Sequence, residues 1–362
     1  AGGALTIGVA LRPGHRAPRV AGDVTQAGET LVTTWVKIDA NNRVTLIAPH
    51  SEMGQGAHTA LTQMLADEID ARWDDVAFME APAIDEYANW ALARGFLLGD
   101  ARIPDVLVPT IDGAFMQVTR AMKLQVTGGS TSVRATGVHG VRVAGAAARE
   151  MLVNAASEAW GVPAERLTAR DTHVLDEASG RRAPFADFAE AAARHAPSRT
   201  PRLKAPSEFR IMGTSRPRLD VPAKVDGSAR FAIDAEVPGM KYAAVVAAPV
   251  FGATVEAVDS RNAQAMAGVR RVVSLEDAVA VVADSWWQAN EALKRIKVTW
   301  CDTEHDAVDS EALFARFEAS VADGDDSRAD ADTGDVDGAF ARAAATIEAT
   351  YRVPYLAHAC ME

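Results

Sequence analysis

Cysteine is almost missing from this chain: there are two among 362 residues, Cys301 and Cys360. Two such thiols build no disulfide framework, and neither belongs to a CxxC pair. The four-cysteine ligation of an ordinary iron–sulfur cluster is out of reach, so iron–sulfur electron transfer would need another subunit. Both thiols read as small buried apolar residues. Long apolar runs are missing too. No stretch of about 20 apolar residues offers a membrane-spanning helix. Positive charge is scarce: 37 Lys and Arg against 49 Asp and Glu leave a formal net charge of -12. That surface repels phosphate backbones, and no basic stripe with interleaved aromatics opposes it, so nucleic acid is not an expected partner. The usual catalytic strings are also absent. There is no HExxH, GxSxG, GxxxxGK[ST] or GxGxxG. His58, His139, His173, His305 and His358 lie scattered and read as structural or surface residues.

What remains has the length of two or three domains. Residues 1–11 (AGGALTIGVAL) read either as the remnant of an export signal's apolar stretch or as a surface-lying terminus. Residues 12–30 read as a linker. Residues 31–38 (LVTTWVKI) alternate as a strand, 39–42 as a turn and 43–47 as a second strand, which together predict a hairpin. Leu61, Met64, Leu65 and Ile69 recur at helical spacing and predict a helix over 57–70. Residues 74–80 read as a strand, and 81–112, with three prolines, as an irregular segment. Helices are expected over 142–155 and 185–195. A polar stretch with three prolines, 197–206, marks a domain boundary. Beyond it, strands are expected at 242–248, 269–275, 279–283, 297–300 and 346–353, with helices at 286–296 and 339–345. The fold class is α+β, with segments 1–30, 31–204, 205–325 and 326–362 as the expected divisions.

Two corners could carry chemistry. Ser51-Glu52-Met53-Gly54-Gln55-Gly56 lies between a strand and a helix. Its glycines let the backbone approach a ligand, Gln55 offers a donor and an acceptor, and the helix N-terminus behind it favours an anion. A purely structural strand–loop–helix corner would look the same. Thr127-Gly128-Gly129-Ser130-Thr131-Ser132 precedes another helix, and its amides and hydroxyls could cradle a phosphate, with Arg134 close by. A flexible turn or an N-cap cluster is the competing reading.

Taken together, the motifs resemble a known family. Met53-Gly54-Gln55-Gly56-Ala57-His58-Thr59 resembles the MGQGxHT segment of the xanthine oxidase/aldehyde oxidase-type molybdenum hydroxylases. The string from Thr127 to Ser132 resembles that family's Gly/Ser loop. Residues 218–231 (RLDVPAKVDGSARF) resemble the opening of its a/b hammerhead domain, and 355–362 (YLAHACME) its HAxMEP segment. The MGQG segment precedes the hammerhead-like part here, an order similar to that in the branch of isoquinoline 1-oxidoreductase beta subunits.

The resemblance implies a molybdopterin-binding portion followed by an a/b hammerhead-like domain (205–325), with 326–362 opening the next molybdopterin-binding portion. It implies oxidative hydroxylation of an aldehyde or N-heterocycle with oxygen from water. The implied cofactor is molybdopterin with molybdenum, in its cytosine dinucleotide form, gripped by Met53, Gly54, Gln55, Gly56, Thr127, Gly128, Gly129, Ser130, Thr131 and Ser132. No residue of this chain is implied as catalytic or as a metal ligand, because the family's general-base glutamate lies in a later GxGE segment. Glu52 and Glu362 do not match it. Implied partners are the C-terminal half of the same subunit, a small 2Fe-2S subunit and a cytochrome c acceptor, in the periplasm or at its membrane. Two other readings compete: a non-catalytic exported binding or assembly module, and a nicotinamide-dependent aldehyde dehydrogenase, which would lack its dinucleotide fingerprint and a positioned cysteine.

Overall fold

The computed structural model describes residues 16–99, 101–125, 127–198, 200–323, 328, 331 and 333–356. Residues 1–11 and most of the 355–362 segment, His358, Cys360 and Glu362 included, therefore lie outside the described residues. By contacts the chain divides into two units, Ala1–Ala229 and Arg230–Glu362.

The first unit begins with α1 (Ala17–Val24), where a linker was expected. Ala17, Val20 and Val24 repeat at helical spacing and bury in the core, and Pro18 sits in the first turn, where it is tolerated. Next come β1 (Glu29–Thr33), β2 (Val36–Asp39) and β3 (Val44–Ala48). The single strand expected over 31–38 is thus two antiparallel strands. The chain reverses at Thr34 and Trp35 because Trp35 is buried and stacks on Trp90 at 6.2 Å. The Tyr87 hydroxyl fixes the reversal by donating to the Thr34 carbonyl at 2.9 Å. The expected hairpin joins β2 to β3, pairing Val36 with Leu46.

α2 (Ala57–Ile69) then crosses to β4 (Val76–Glu80), which lies parallel to β3 and sets Ala48 beside Glu80. Leu61, Leu65 and Ile69 of α2 are fully buried, as their spacing predicts. The sheet order is β1-β2-β3-β4.

The expected irregular segment 81–112 holds the whole of α3 (Trp90–Leu98) and the start of α4 (Val108–Ala121). In α3 the apolar residues surround the axis, so no amphipathic period shows. Asn89 caps α3 by accepting from the Leu92 amide at 3.1 Å. α5 (Thr131–Thr136) passes through a π turn (Gly137–Val141) into α6 (Arg142–Trp160). A Cβ on Gly140 would fall 2.1 Å from the Trp35 ring, so that helix lies against the sheet as only glycine permits. On α2, Glu68 is fully buried and paired with Arg142 at 2.6 Å. A small antiparallel sheet follows, β5 (Thr168–Arg170), β6 (His173–Asp176) and β7 (Arg181–Pro184), and then α7 (Ala186–Ala192), which buries Phe188. The break in composition at 204/205 is not a break in contacts. The Ile211 amide donates to Asp67 and the Leu219 amide to Thr59, each at 3.0 Å, and residues 205–229, including α8 (Val221–Asp226), group with the first unit.

The second unit contains β8 (Tyr242–Ala247), β9 (Val255–Asp259), α9 (Arg261–Gln264), β10 (Val269–Ser274), β11 (Ala278–Ala283), α10 (Trp286–Leu293), β12 (Lys297–Trp300), α11 (Ser310–Asp323) and α12 (Val336–Arg342). One sheet has the order β10-β11-β8 and the other pairs β12 with β9, all antiparallel. Residues 346–353, expected as a strand, form no strand and are exposed, although Arg352 pairs with Glu311 and Glu318. Cys301 is exposed, against the expectation of burial. The mixture of helix and sheet is α+β, as expected. Among the described residues no helix is long and apolar enough to cross a membrane.

Candidate cofactor site

The first corner, 49–56, leaves the carboxyl end of β3 and enters α2, on the edge where open α/β sheets place ligands. Glu52 shapes it. Its carboxylate accepts from the amides of Gly54 (3.0 Å), Gly56 (2.9 Å) and His58 (3.2 Å). Gly54 and Gly56 have φ of 101° and 76°, the left-handed region in which a side chain is strained. The Glu52 amide in turn donates to Glu80 at 3.1 Å, since β4 brings that residue beside the end of β3. Burial disfavours the Glu52 anion, but the amides of Gly56, His58 and Gly54, with Arg218, outweigh it and hold the carboxyl below the usual range. This corrects one expectation: the α2 N-terminus is already occupied by the chain's own carboxylate.

Gln55 joins the two corners. Its Nε2 donates to the Ser51 carbonyl at 2.9 Å and to the Gly128 carbonyl at 3.1 Å, and its Oε1 accepts from the Met53 amide at 2.7 Å. Both amide hydrogens are therefore engaged within the protein, and what is left for a ligand is acceptor capacity on Oε1. Thr127 Oγ1 reinforces the junction by donating to the Ser51 carbonyl at 2.9 Å. A Cβ on Gly129 would lie 3.4 Å from the Gln55 Cβ, and one on Gly128 would lie 2.5 Å from the Ser132 Oγ. The corners thus pack as one shelf. Met53, Ser130 and Thr131 are exposed on it.

The floor beneath is polar and buried. His50 Nε2 lies 2.7 Å from Thr136 Oγ1, and Asn89 Nδ2 donates to Thr136 Oγ1 (3.0 Å) and to the Pro49 carbonyl (3.2 Å). Burial, with His58 nearby, pushes the His50 pKa down to about 4 although the Gly128 backbone opposes this, so the ring is neutral at pH 7. His58 Nε2 meets the His50 carbonyl at 2.7 Å, and its ring packs on Phe78. A cleft of about 340 Å³ opens beside the shelf, lined by His50, Ser51, Glu80, Gln125 and Thr127 among others. Among the described residues no group of three or more His, Cys, Asp or Glu could hold a metal ion.

Sequence reasoning placed Glu52 in the first corner without its role of gathering the loop amides, and missed His50, Asn89, Thr136 and Arg218 as parts of this site. Two of them left a signal. An acid just ahead of a helix start is a capping pattern, and Asn89 directly precedes the apolar run of α3. His50 and Thr136 show nothing until the fold sets them side by side.

Residues 3–90 match a family described as the molybdopterin cofactor-binding domain. The match includes the first corner and ends before the second. The chain is 30% identical over 355 residues to the beta subunit of isoquinoline 1-oxidoreductase from Brevundimonas diminuta, covering 87% of this chain and 41% of that protein. It is 27% identical over 343 residues to a nicotinate dehydrogenase subunit of Pseudomonas putida, covering 91% and 25%. It is 30% identical over 289 residues to a membrane-bound aldehyde dehydrogenase [pyrroloquinoline-quinone] of Gluconacetobacter polyoxogenes, covering 75% and 32%. The chain therefore spans less than half the length of each. With the glycine corners in place and these relatives beside it, the chain is similar to molybdopterin-binding subunits of the xanthine oxidase family.

Proposed function

We propose that the shelf of Met53, Gly54, Gln55, Gly56 and of Thr127, Gly128, Gly129, Ser130, Thr131, Ser132 is one wall of a molybdopterin site. The protein it serves would hydroxylate an aldehyde or N-heterocycle with oxygen from water. The observation that carries this is the 3.1 Å hydrogen bond from Gln55 Nε2 to the Gly128 carbonyl, which joins corners 73 residues apart. The residues suit such a group. The exposed Gly54 and half-buried Gly56, Gly128 and Gly129 suit a flat polar ring system, Ser130 and Thr131 present hydroxyls, and the Arg218 guanidinium beside Gly54 is a partly exposed cation for an anionic tail. When bound, the cofactor supplies a metal that activates a water-derived oxygen and takes up electrons. This chain's own part is to hold and orient. Gln55 locks the two corners in register, and the neutral His50 gives them a buried floor that needs no counter-charge.

The finer points rest on the same reading. The cofactor is the cytosine dinucleotide form, the general base lies in the C-terminal half of the subunit, and electrons leave to a small 2Fe-2S subunit and on to a cytochrome c. The complex works in the periplasm or at its membrane. The antiparallel strands of the second unit, following the RLDVPAKVDG string, support an a/b hammerhead-like domain. No observation favours the non-catalytic module.

In the intact protein, Gln55→Ala should lower molybdenum and pterin content together by roughly tenfold, the scale of losing a group that orients a cofactor's ligands. Circular dichroism should stay unchanged. Unaltered metal content and turnover would remove Gln55 from the site. Because one relative's name carries a quinone cofactor, pyrroloquinoline quinone is assayed alongside. Quinone without molybdenum in the unsubstituted protein overturns the reading.

A further inference from the structure

One face of α2 carries a strap made of residues 210–220. Thr59, Gln63 and Asp67 are four residues apart and so align on successive turns. The Asp67 carboxylate accepts from the amides of Arg210 (2.9 Å), Ile211 (3.0 Å) and Met212 (2.6 Å). Gln63 Nε2 donates to the carbonyls of Ile211 (3.2 Å) and Thr214 (3.0 Å). Thr59 Oγ1 accepts from the Leu219 amide at 3.0 Å. The strap therefore runs antiparallel to the helix, from its last turn back to its first, and delivers Arg218 to the glycine corner. There Arg218 Nη2 meets Glu52 Oε1 at 3.2 Å, and Nη1 donates to the Gly54 carbonyl at 3.1 Å. The guanidinium is held by Asp220, through Nε at 2.9 Å and Nη2 at 2.6 Å, and Lys224 supports Asp220 at 2.6 Å.

We propose that Arg218, presented by this strap, is a positioning residue for the Gly54–Gly56 corner. It touches both the carboxylate that gathers the loop amides and the loop's own carbonyl. An isolated ion pair at a surface contributes little. This one differs, because the Glu52 side chain is only 6% exposed and the guanidinium is fixed in advance by a fork-to-fork contact. The shape of the corner is thereby set by a segment about 160 residues downstream in sequence, the one that leads into the second unit. Its importance for the cofactor rests on the reading of the shelf given above, whereas the geometry does not.

Amide hydrogen exchange on the intact protein tests it. In Arg218→Ala, the peptide spanning residues 51–60 should exchange about tenfold faster, as local opening becomes easier, with peptides of β2 and β3 unchanged. Arg218→Lys keeps the charge but loses the fork, and should recover only part of the protection, with exchange between that of Arg218→Ala and that of the unsubstituted protein. Thr59→Val, which frees the Leu219 amide, should accelerate the same peptide to a smaller degree. Unchanged exchange in Arg218→Ala, no rescue by lysine, or equal acceleration in β2 and β3 would each overturn the proposal. The result is independent of cofactor, so molybdenum and pterin content of the unsubstituted protein separately decides what the shelf binds.

Discussion

The two units bury different things. The first packs Leu46, Ile47, Leu61, Leu65 and Ile69 without exposure, and among the described residues it also holds every buried charged side chain, from Arg16 to Asp220. The second packs mainly alanines, Ala244, Ala283 and Ala289 in one cluster and Ala263, Val281 and Ala292 in another. Its larger apolar residues lie outside: Trp286, Trp287 and Phe251 are exposed. Its ion pairs, such as Arg270 with Asp284, are on the surface, where they contribute little. The second unit is therefore held chiefly by its backbone ladders, and the first by side-chain burial. A buried floor such as His50, Thr136 and Asn89 needs the second kind of support, because a polar network is worth its desolvation only inside a well-packed body.

The comparison can be broken most easily in the cores. Leu65→Ala should destabilise the first unit by about 3–4 kcal/mol, through lost burial and the cavity left behind. Val281→Ala in the second should cost about 1–2 kcal/mol, since it removes fewer carbon atoms from a smaller cluster. Denaturant unfolding read by exchange in each unit checks both, and a reversed ranking would contradict the contrast.

Acid should sharpen the same contrast. His50 has a folded pKa of about 4, below its ordinary value of 6.5. Above about pH 6.5 both states are neutral there and the group is indifferent. As pH falls towards 4 the unfolded chain takes up the proton first, so stability drops, by up to about 3 kcal/mol when fully expressed. His50→Gln should flatten this dependence between pH 7 and 4 for the first unit and leave the second unchanged. Identical pH slopes in the two proteins would mean that His50 is not held neutral by burial.

How far the sequence spoke depends on the residue. The β2–β3 hairpin and α2 were legible because their large apolar residues recur at strand and helix spacing, and Leu61, Leu65 and Ile69 mark the helical period although α2 is buried nearly all round. The reversal at Thr34 and Trp35 was not, since the apolar alternation runs straight through it and only Tyr87 and Trp90, distant in sequence, enforce the turn. Helix α3 hid behind apolar residues on all sides, and the start of α4 behind the prolines around it. Within the site, both glycine corners were legible as corners. That Gln55 binds protein with both its amide hydrogens, and that Glu52 fills the helix terminus, follow only from the folded path of the loop. The stripe of Thr59, Gln63 and Asp67 was in plain view, but its partner strap had been assigned to a later domain.

The central claim is that corners at 55 and 129 share one shelf, and a cysteine pair tests it most directly. A Cβ on Gly129 would lie 3.4 Å from the Gln55 Cβ, and disulfides form at Cβ separations of about 3.8 Å. In a background of Cys301→Ser and Cys360→Ser, the double variant Gln55→Cys, Gly129→Cys should oxidise to an internal disulfide that peptide mapping locates between these positions. Thiols that stay free under oxidation, or that pair only between molecules, would show that the two corners do not meet.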